Sequence, residues 1–351
     1  MPIVNPTGAR VLVTGANGFI AMWTIRSLLE QGYGVRGVVR SLDKGKHLKE
    51  YFSSYGDKLE LFVVEDMMKD GAFDEAVKGV DAIEHMATPV NMTGIEPDKY
   101  IQPAIKGTVG ILESALKFGD EVKRIVITSS AVAIYSPVKE PFTIFDESHW
   151  ADSIVNFVKE KGKEAGPLDK YSASKTLAEK AAWEFYNTHK DQAKWDLVVL
   201  NPPFVLGPPL YQVQRPEDLN VSLLIFWGRI IQDLPANDLK NTYSFVDVRD
   251  VATAHVTALS KEEAGDQRII ISNGASTWQE TRDFIYSLQT GLYDSAILSR
   301  GIPGLYAPLL YTYNNEKGKR VLGIEYTSRE QTITDLLADF KQRGWLEKHT
   351  I

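Results

Sequence analysis

The 351-residue chain is long enough for one large α/β domain or two smaller units, with ample core to bury. Hydrophobic residues make up 44%, charged residues 24%, and the net charge of −7 argues against a nucleic-acid surface, which needs a basic face. Cysteine is absent, which excludes disulfides, thiolate zinc sites and cysteine nucleophiles. Met1 to Arg10 lacks the apolar core of a signal peptide, and later apolar runs are broken well before membrane-spanning length, so a cytoplasmic protein is expected.

Arg10 to Thr14 is a short β-branched run, followed by Gly15-Ala16-Asn17-Gly18-Phe19-Ile20-Ala21 and an amphipathic helix to about Glu30. In such a strand, glycine turn and helix, Gly15 permits the tight turn and Gly18 lets a pyrophosphate approach the backbone. Ala21 allows close packing of helix on strand, and the phosphates would sit on the helix N-terminus. The second strand, Val35 to Val39, ends in Arg40 where NAD-binding units usually carry an acid for the ribose 2′-hydroxyl. With Lys44 and Lys46 close behind, this arginine favours NADP(H), against the alternative of an ordinary exposed strand end.

Leu59 to Val64 is a third strand, after which Asp66 and Met67 could hold the adenine, unless Asp66 only caps a helix. Asp81 to Met86 is a fourth, running into Ala87-Thr88-Pro89, small residues that let the chain pass close to a cofactor; His85 within it reads as a packed core residue. A helix over about Asp98 to Phe118 precedes the fifth strand, Arg124 to Thr128, which ends at Ser129-Ser130. A serine at the carboxyl end of a central parallel strand sits in the crevice where open α/β sheets bind ligands, and could hold a substrate carbonyl.

Ser136 to Lys170 is polar and proline-punctuated, and is expected to cover the site rather than link domains. Tyr171 and Lys175 then stand four apart in an alanine-rich helical segment, on one face. A nearby ammonium stabilises a phenolate, so such a pair suits proton transfer, although the spacing alone is also that of an ordinary surface helix. Leu197 to Leu200 is a sixth strand, closed by Asn201-Pro202-Pro203. Beyond it the alternation weakens. Glu217 to Gln232, Arg249 to Leu259, Ser276 to Leu288 and Arg329 to Gly344 read as helices, and Tyr243 to Val248 and Arg268 to Ile271 as strands.

The combination Thr14-Gly15-x-x-Gly18-x-x-Ala21, Ser130, Tyr171-x-x-x-Lys175 and Asn201-Pro202-Pro203-Phe204-Val205-x-Gly207-Pro208 resembles the extended short-chain dehydrogenase/reductases, from about residue 9 to residue 340. Within them it is similar to the dihydroflavonol reductase-like branch, and closest to the fungal NADPH-dependent carbonyl and methylglyoxal reductases. The aromatic motif that cinnamoyl-CoA reductases carry before the lysine is missing, Tyr135 replaces the substrate-touching asparagine of flavonoid reductases, and Asn201 stands where nucleotide-sugar epimerases usually have arginine.

The resemblance implies an α/β, Rossmann doubly wound parallel sheet with a smaller C-terminal substrate-binding lobe. Residues 1–200, with about 240–273, would form the NADP-binding unit, and 201–239 and 274–351 the lobe. It also implies reduction of aldehydes and ketones, stereoselective and tolerant of bulky or aromatic carbonyls, with Ser130, Tyr171 and Lys175 as catalytic group. Lys175 would lower the tyrosine pKa and hold the nicotinamide ribose. The cofactor shell would comprise Gly15, Ala16, Asn17, Gly18, Phe19 and Ile20 at the pyrophosphate, Arg40 and Lys44 at the 2′-phosphate, and Asp66 and Met67 at the adenine. Ala87, Thr88, Pro89 and Thr128 would lie along it, with Pro202, Pro203 and Val205 near the carboxamide and Asn220 and Ser222 further members. Val90, Met92, Tyr135, Phe204, Leu224 and Trp227 are the residues expected at the substrate, each open to the alternative of ordinary core.

No metal is expected, since the six histidines show no ligand spacing. The partner expected is a small carbonyl compound, with no nucleic acid or membrane, and the chain a monomer or homodimer. Two other readings stand beside this one: an epimerase or dehydratase on the same scaffold, and a non-catalytic NADP-binding regulatory protein.

Overall fold

A computed structural model describes residues 4–88, 95–138, 142–288 and 297–347. Strand β1 (Arg10–Thr14) and helix α1 (Phe19–Glu30) lie where the sequence places them, and β2 (Gly34–Val39) leads at once into α2 (Leu42–Tyr51). Helix α2 escapes sequence reading because it buries only Gly45 and Leu48, too little for an apolar stripe. It is started by Ser41, whose hydroxyl accepts from the Lys44 amide at 3.4 Å. Next come β3 (Leu59–Val63), β4 (Ala82–His85), α3 (Asp98–Phe118) and β5 (Arg124–Thr128).

The expected covering stretch is more ordered than its composition suggests, and holds β6 (Thr143–Phe145) and α4 (Asp152–Lys161). Ile154 and Val158, one turn apart, are the buried residues of α4 and pack with Ala173 of the following helix. That helix, α5 (Pro167–His189), begins a turn before Tyr171. Pro167 suits its first position, where an amide hydrogen has no partner to lose, and the Asp169 carboxylate accepts from the Gly166 amide at 3.2 Å. The remaining elements are β7 (Asp196–Asn201), β8 (Phe204–Leu206), α6 (Val221–Ile231), α7 (Ala236–Leu239), β9 (Thr242–Asp247), α8 (Val248–Ser260), β10 (Gln267–Ile270), β11 (Ala275–Thr277), α9 (Trp278–Ser287), β12 (Tyr311–Tyr313) and α10 (Arg329–Gln342).

The main sheet has seven strands in the order β10-β7-β5-β4-β1-β2-β3, every pair parallel. Its central strands are buried on both faces and therefore read as unbroken apolar runs. Val11 and Val13 join one core with α1 and α8, while Leu12 between them joins the other with Ile111 of α3 and Tyr186 of α5. At the amino end of the sheet Arg124 and Asp196 form a fully buried two-pronged ion pair, at 2.6 and 2.7 Å. Strand β9 joins β8 and β11 in a separate three-stranded sheet, so from 240–273 it is β10 that extends the main sheet, and β12 pairs with β6. Among the described residues no helix is long and apolar enough to cross a membrane.

Candidate active site

Strand order reverses between β1 and β4, and this opens a crevice at their carboxyl ends. Gly15 lies in that crevice with a φ of +64°, and a β-carbon there would meet the Ala87 backbone at 3.1 Å. The turn is thus glycine both for its left-handed backbone and for its approach to the end of β4. Gly18 closes it, donating to the Gly15 carbonyl at 2.8 Å, and a β-carbon on Gly18 would press on that same oxygen at 3.0 Å. Helix α1 then starts with no side-chain cap and no acid in its first turn, so its exposed amide end is left for an anion. Ala16 is buried, Phe19 packs edge-on against Tyr211, and Asn17 is exposed.

Arg40 follows the last residue of β2, exposed, with no hydrogen bond or ion pair among the described residues; Lys44 is exposed in the first turn of α2, while Lys46 is paired with Asp43 at 2.7 Å. Asp66 accepts from the Met68 amide at 2.9 Å, a local turn rather than a helix cap, and Met67 lies over Gly107 of α3. Pro89, Val90 and Met92 fall outside the described residues.

The end of β5 brings Ser130 beside Tyr171. Ser130 Oγ accepts from the Val132 amide at 3.3 Å and donates to the Pro202 carbonyl at 3.5 Å, with the Tyr171 phenol beside it. Burial pushes that phenol up to about 12, and the neighbouring Ser130 hydroxyl only partly offsets it. Here the structure differs from the sequence expectation of a phenol lowered by Lys175. The ammonium points instead to the ends of β4 and β5, donating to Thr88 Oγ1 at 2.9 Å and to the Thr128 carbonyl at 3.2 Å. Lys175 is itself buried, which brings it down to about 8 against the opposing pull of Glu179.

A buried polar layer supports this group. Thr14 Oγ1 accepts from the Met86 and Ala87 amides, both at 3.0 Å, and so gives its own hydrogen to His85 Nδ1, also at 3.0 Å. His85 is therefore a neutral core histidine as expected, held down to about 3 chiefly by burial. Thr128 Oγ1 meets His255 Nε2 at 3.0 Å, whose Nδ1 meets the buried Glu84 carboxylate at 2.6 Å. Ser129, Glu179, Asn201 and Arg268 form a second network. Thr14, His85, Thr128, Ser129 and Asn201 fall on stretches the sequence marks, whereas Glu84, His255 and Arg268 do not stand out and Glu179 only continues the four-residue spacing of Tyr171 and Lys175.

Pro202 accepts from the Ala131 amide at 2.9 Å, which ties the Ser130 turn to the end of β7, and Val205 accepts from Ser222 Oγ at 2.7 Å. Pro203 follows, half-buried. Asn220 donates to Ser222 at 2.8 Å and is held by Tyr211. Tyr135 packs with Phe145 and Tyr311, Phe204 lies edge-on to Tyr243 and Trp278, and Leu224 is exposed on α6. Trp227, expected at the substrate, instead packs edge-on against Phe340 and Trp345, within the core that α10 builds.

A parallel sheet with a glycine turn at its switch point, and a hydroxyl, a phenol and a buried ammonium beside it, defines a dinucleotide-dependent α/β enzyme scaffold. The chain belongs to the NAD dependent epimerase/dehydratase family, whose profile matches residues 11–273. It is 34% identical to the ketoreductase azaE of Aspergillus niger, over 95% of this chain and 98% of that protein. It is 33% identical to the NADPH-dependent methylglyoxal reductase of Saccharomyces cerevisiae, over 93% of this chain and 96% of the relative. The crystal structure of yeast methylglyoxal/isovaleraldehyde reductase complexed with NADPH superposes with a TM-score of 0.83 at 31% identity, covering 96% of this chain and 99% of that one. Cinnamoyl-CoA reductase 1 of Arabidopsis thaliana is 35% identical, over 98% of this chain and 92% of its own.

Proposed function

We propose that this protein is an NADPH-dependent reductase of aldehydes and ketones, in which Tyr171 gives the proton that completes the alcohol. The observation that carries the reading is the Tyr171 phenol beside the Ser130 hydroxyl, with Lys175 buried one turn further along the same helix. The cofactor fits what the chain offers. An uncapped helix start behind Gly15 and Gly18 suits a pyrophosphate, and the exposed Arg40 and Lys44 suit a 2′-phosphate. When bound, NADPH supplies the hydride. Asp66 and Met67 would frame the adenine, Ala87, Thr88 and Thr128 would line the crevice, and Pro202, Pro203, Val205, Asn220 and Ser222 would border its far end.

Ser130 would hold the substrate oxygen and orient it. Tyr171, kept neutral by its burial, holds a proton ready for that oxygen, and Lys175, anchored on Thr88 and the Thr128 carbonyl, would hold the nicotinamide ribose. Tyr135, Phe204 and Leu224 would give bulky or aromatic carbonyls an apolar wall, and a wall on one side makes the reduction stereoselective. Residues 1–200 with α8 and β10 would hold the cofactor, and the rest would close over the substrate.

The test is a panel of aldehydes, diketones and aryl ketones, followed by NADPH oxidation and chiral analysis of the products. One alcohol formed for each NADPH consumed, with one enantiomer in excess, is expected. No net oxidation with any member would oppose the reductase reading and favour transient use of the nicotinamide.

A further inference from the structure

Tyr171, Lys175 and Glu179 follow at four-residue spacing on α5 and share one face. The first two have roles in the proposed reduction; the third is a carboxylate with no exposure at all. A buried carboxylate is tolerated only when it is paired and hydrogen-bonded, and Glu179 is both. It takes Arg268 Nε at 2.5 Å, Ser129 Oγ at 2.5 Å and Asn201 Nδ2 at 2.8 Å.

Two of these partners lead straight to Ser130. Ser129 is its chain neighbour, and Asn201 spends its other amide hydrogen on the Ser130 carbonyl at 3.1 Å. The backbone bonds Ser129 N to Leu200 O at 2.8 Å and Ala131 N to Pro202 O at 2.9 Å close the clamp on either side. Arg268 extends the network outward, donating to the Glu147 and His149 carbonyls at 2.9 and 2.6 Å and lying over the Trp150 ring at 3.6 Å. Glu179 also lines a small polar cavity with Lys175, His85, Thr88 and Thr128.

We propose that Glu179 is a positioning residue for the reduction: through Ser129 and Asn201 it fixes the Ser130 turn opposite Tyr171, and its charge faces Lys175 along the helix. This role rests on the reductase reading above. Around Lys175, α5 contributes Tyr171 and Glu179, β4 contributes the neutral His85, and β10 contributes Arg268 behind Glu179. Among the described residues, β5 and α3 turn only uncharged side chains into that cavity. Glu179 therefore holds Lys175 in its protonated form against the effect of burial.

The experiment uses the full chain and a carbonyl that the wild type reduces. Glu179→Gln keeps the shape and removes the charge. It should lower kcat by about tenfold through misplacement of Ser130 and leave the Kd for NADPH within about twofold, since the cofactor cradle is untouched. The alkaline limb of the pH profile should move down by about one unit, the effect of losing one close opposite charge. A folded variant whose profile overlays the wild type would overturn the proposal. Asn201→Ala cuts the link to Ser130 and keeps the Glu179 charge, so kcat should fall while the alkaline limb stays in place. Wild-type kcat in that variant would equally sink the positioning role, and this arm decides the matter if Glu179→Gln does not fold. Absence of wild-type turnover with every carbonyl would instead count against the reductase reading itself.

Discussion

Arg40→Ala separates the cofactor's 2′-phosphate from everything else it carries. Arg40 stands at the carboxyl end of β2, exposed and unpaired among the described residues, immediately before the serine that starts α2. Its removal should therefore leave stability within about 0.5 kcal/mol. A charge-assisted hydrogen bond contributes about 1.5–3 kcal/mol. Exposure to solvent weakens such contacts, so the lower part of that range applies. At about 1.4 kcal/mol per factor of ten, NADPH should bind about tenfold to thirtyfold more weakly. NADH, which lacks the phosphate, should change by less than about twofold. Titration calorimetry with both dinucleotides, at low and high salt, reads this directly, and the wild-type advantage for NADPH should shrink as salt screens the contact. Equal losses for the two cofactors, or an unaltered NADPH affinity, would refute the assignment of Arg40.

Turnover should decline above about pH 8, because the cationic form of Lys175 is the one proposed to hold the nicotinamide ribose and its buried ammonium gives up its proton near there. A kcat/KM profile that stays level well above that pH would remove the lysine charge from the account. Asp196→Ala would strand the buried Arg124 guanidinium with no carboxylate in hydrogen bond to it among the described residues, the carbonyls of Ala258 and Lys261 remaining. It should cost about 3–5 kcal/mol in a urea titration, and a loss under about 1 kcal/mol would contradict that reading of the pair. Gly15→Ala places a β-carbon 3.1 Å from the Ala87 backbone in a left-handed turn. It should lower the melting temperature and weaken NADPH and NADH alike, and wild-type behaviour in both measurements would show that the turn tolerates a side chain.

The main sheet was legible because its strands are buried on both faces. β1 and β5 coincide with the apolar runs that announced them, and α3 spans the residues its pattern marked. Elements with little to bury were not. Helix α2 hides two residues, α4 is anchored by Ile154 and Val158, and the three-residue strands β6 and β12 exist only through each other. The start of α5 was missed because Pro167 reads as punctuation, although the first turn of a helix is where proline is welcome.

At the site, sequence spacing pointed to Gly15, Ser130, Tyr171 and Lys175, which carry their signal within a few residues of chain. The charged members of the supporting network have no such signal. Glu179 meets Arg268 across 89 positions, and His255 meets Glu84 across 171. The direction of the tyrosine shift also lay beyond the sequence. Spacing puts an ammonium near the phenol, but only the packing shows that burial dominates and that Lys175 turns to Thr88 and Thr128.

The central claim is that Tyr171 supplies the proton in an NADPH-dependent carbonyl reduction, and Tyr171→Phe tests it most directly. The substitution removes one hydroxyl from a half-buried ring and leaves the glycine turn and Arg40 untouched. Turnover of the best carbonyl substrate should fall by about 10² to 10⁴, while NADPH affinity stays within about twofold of the wild type. Turnover at the wild-type rate would contradict the account.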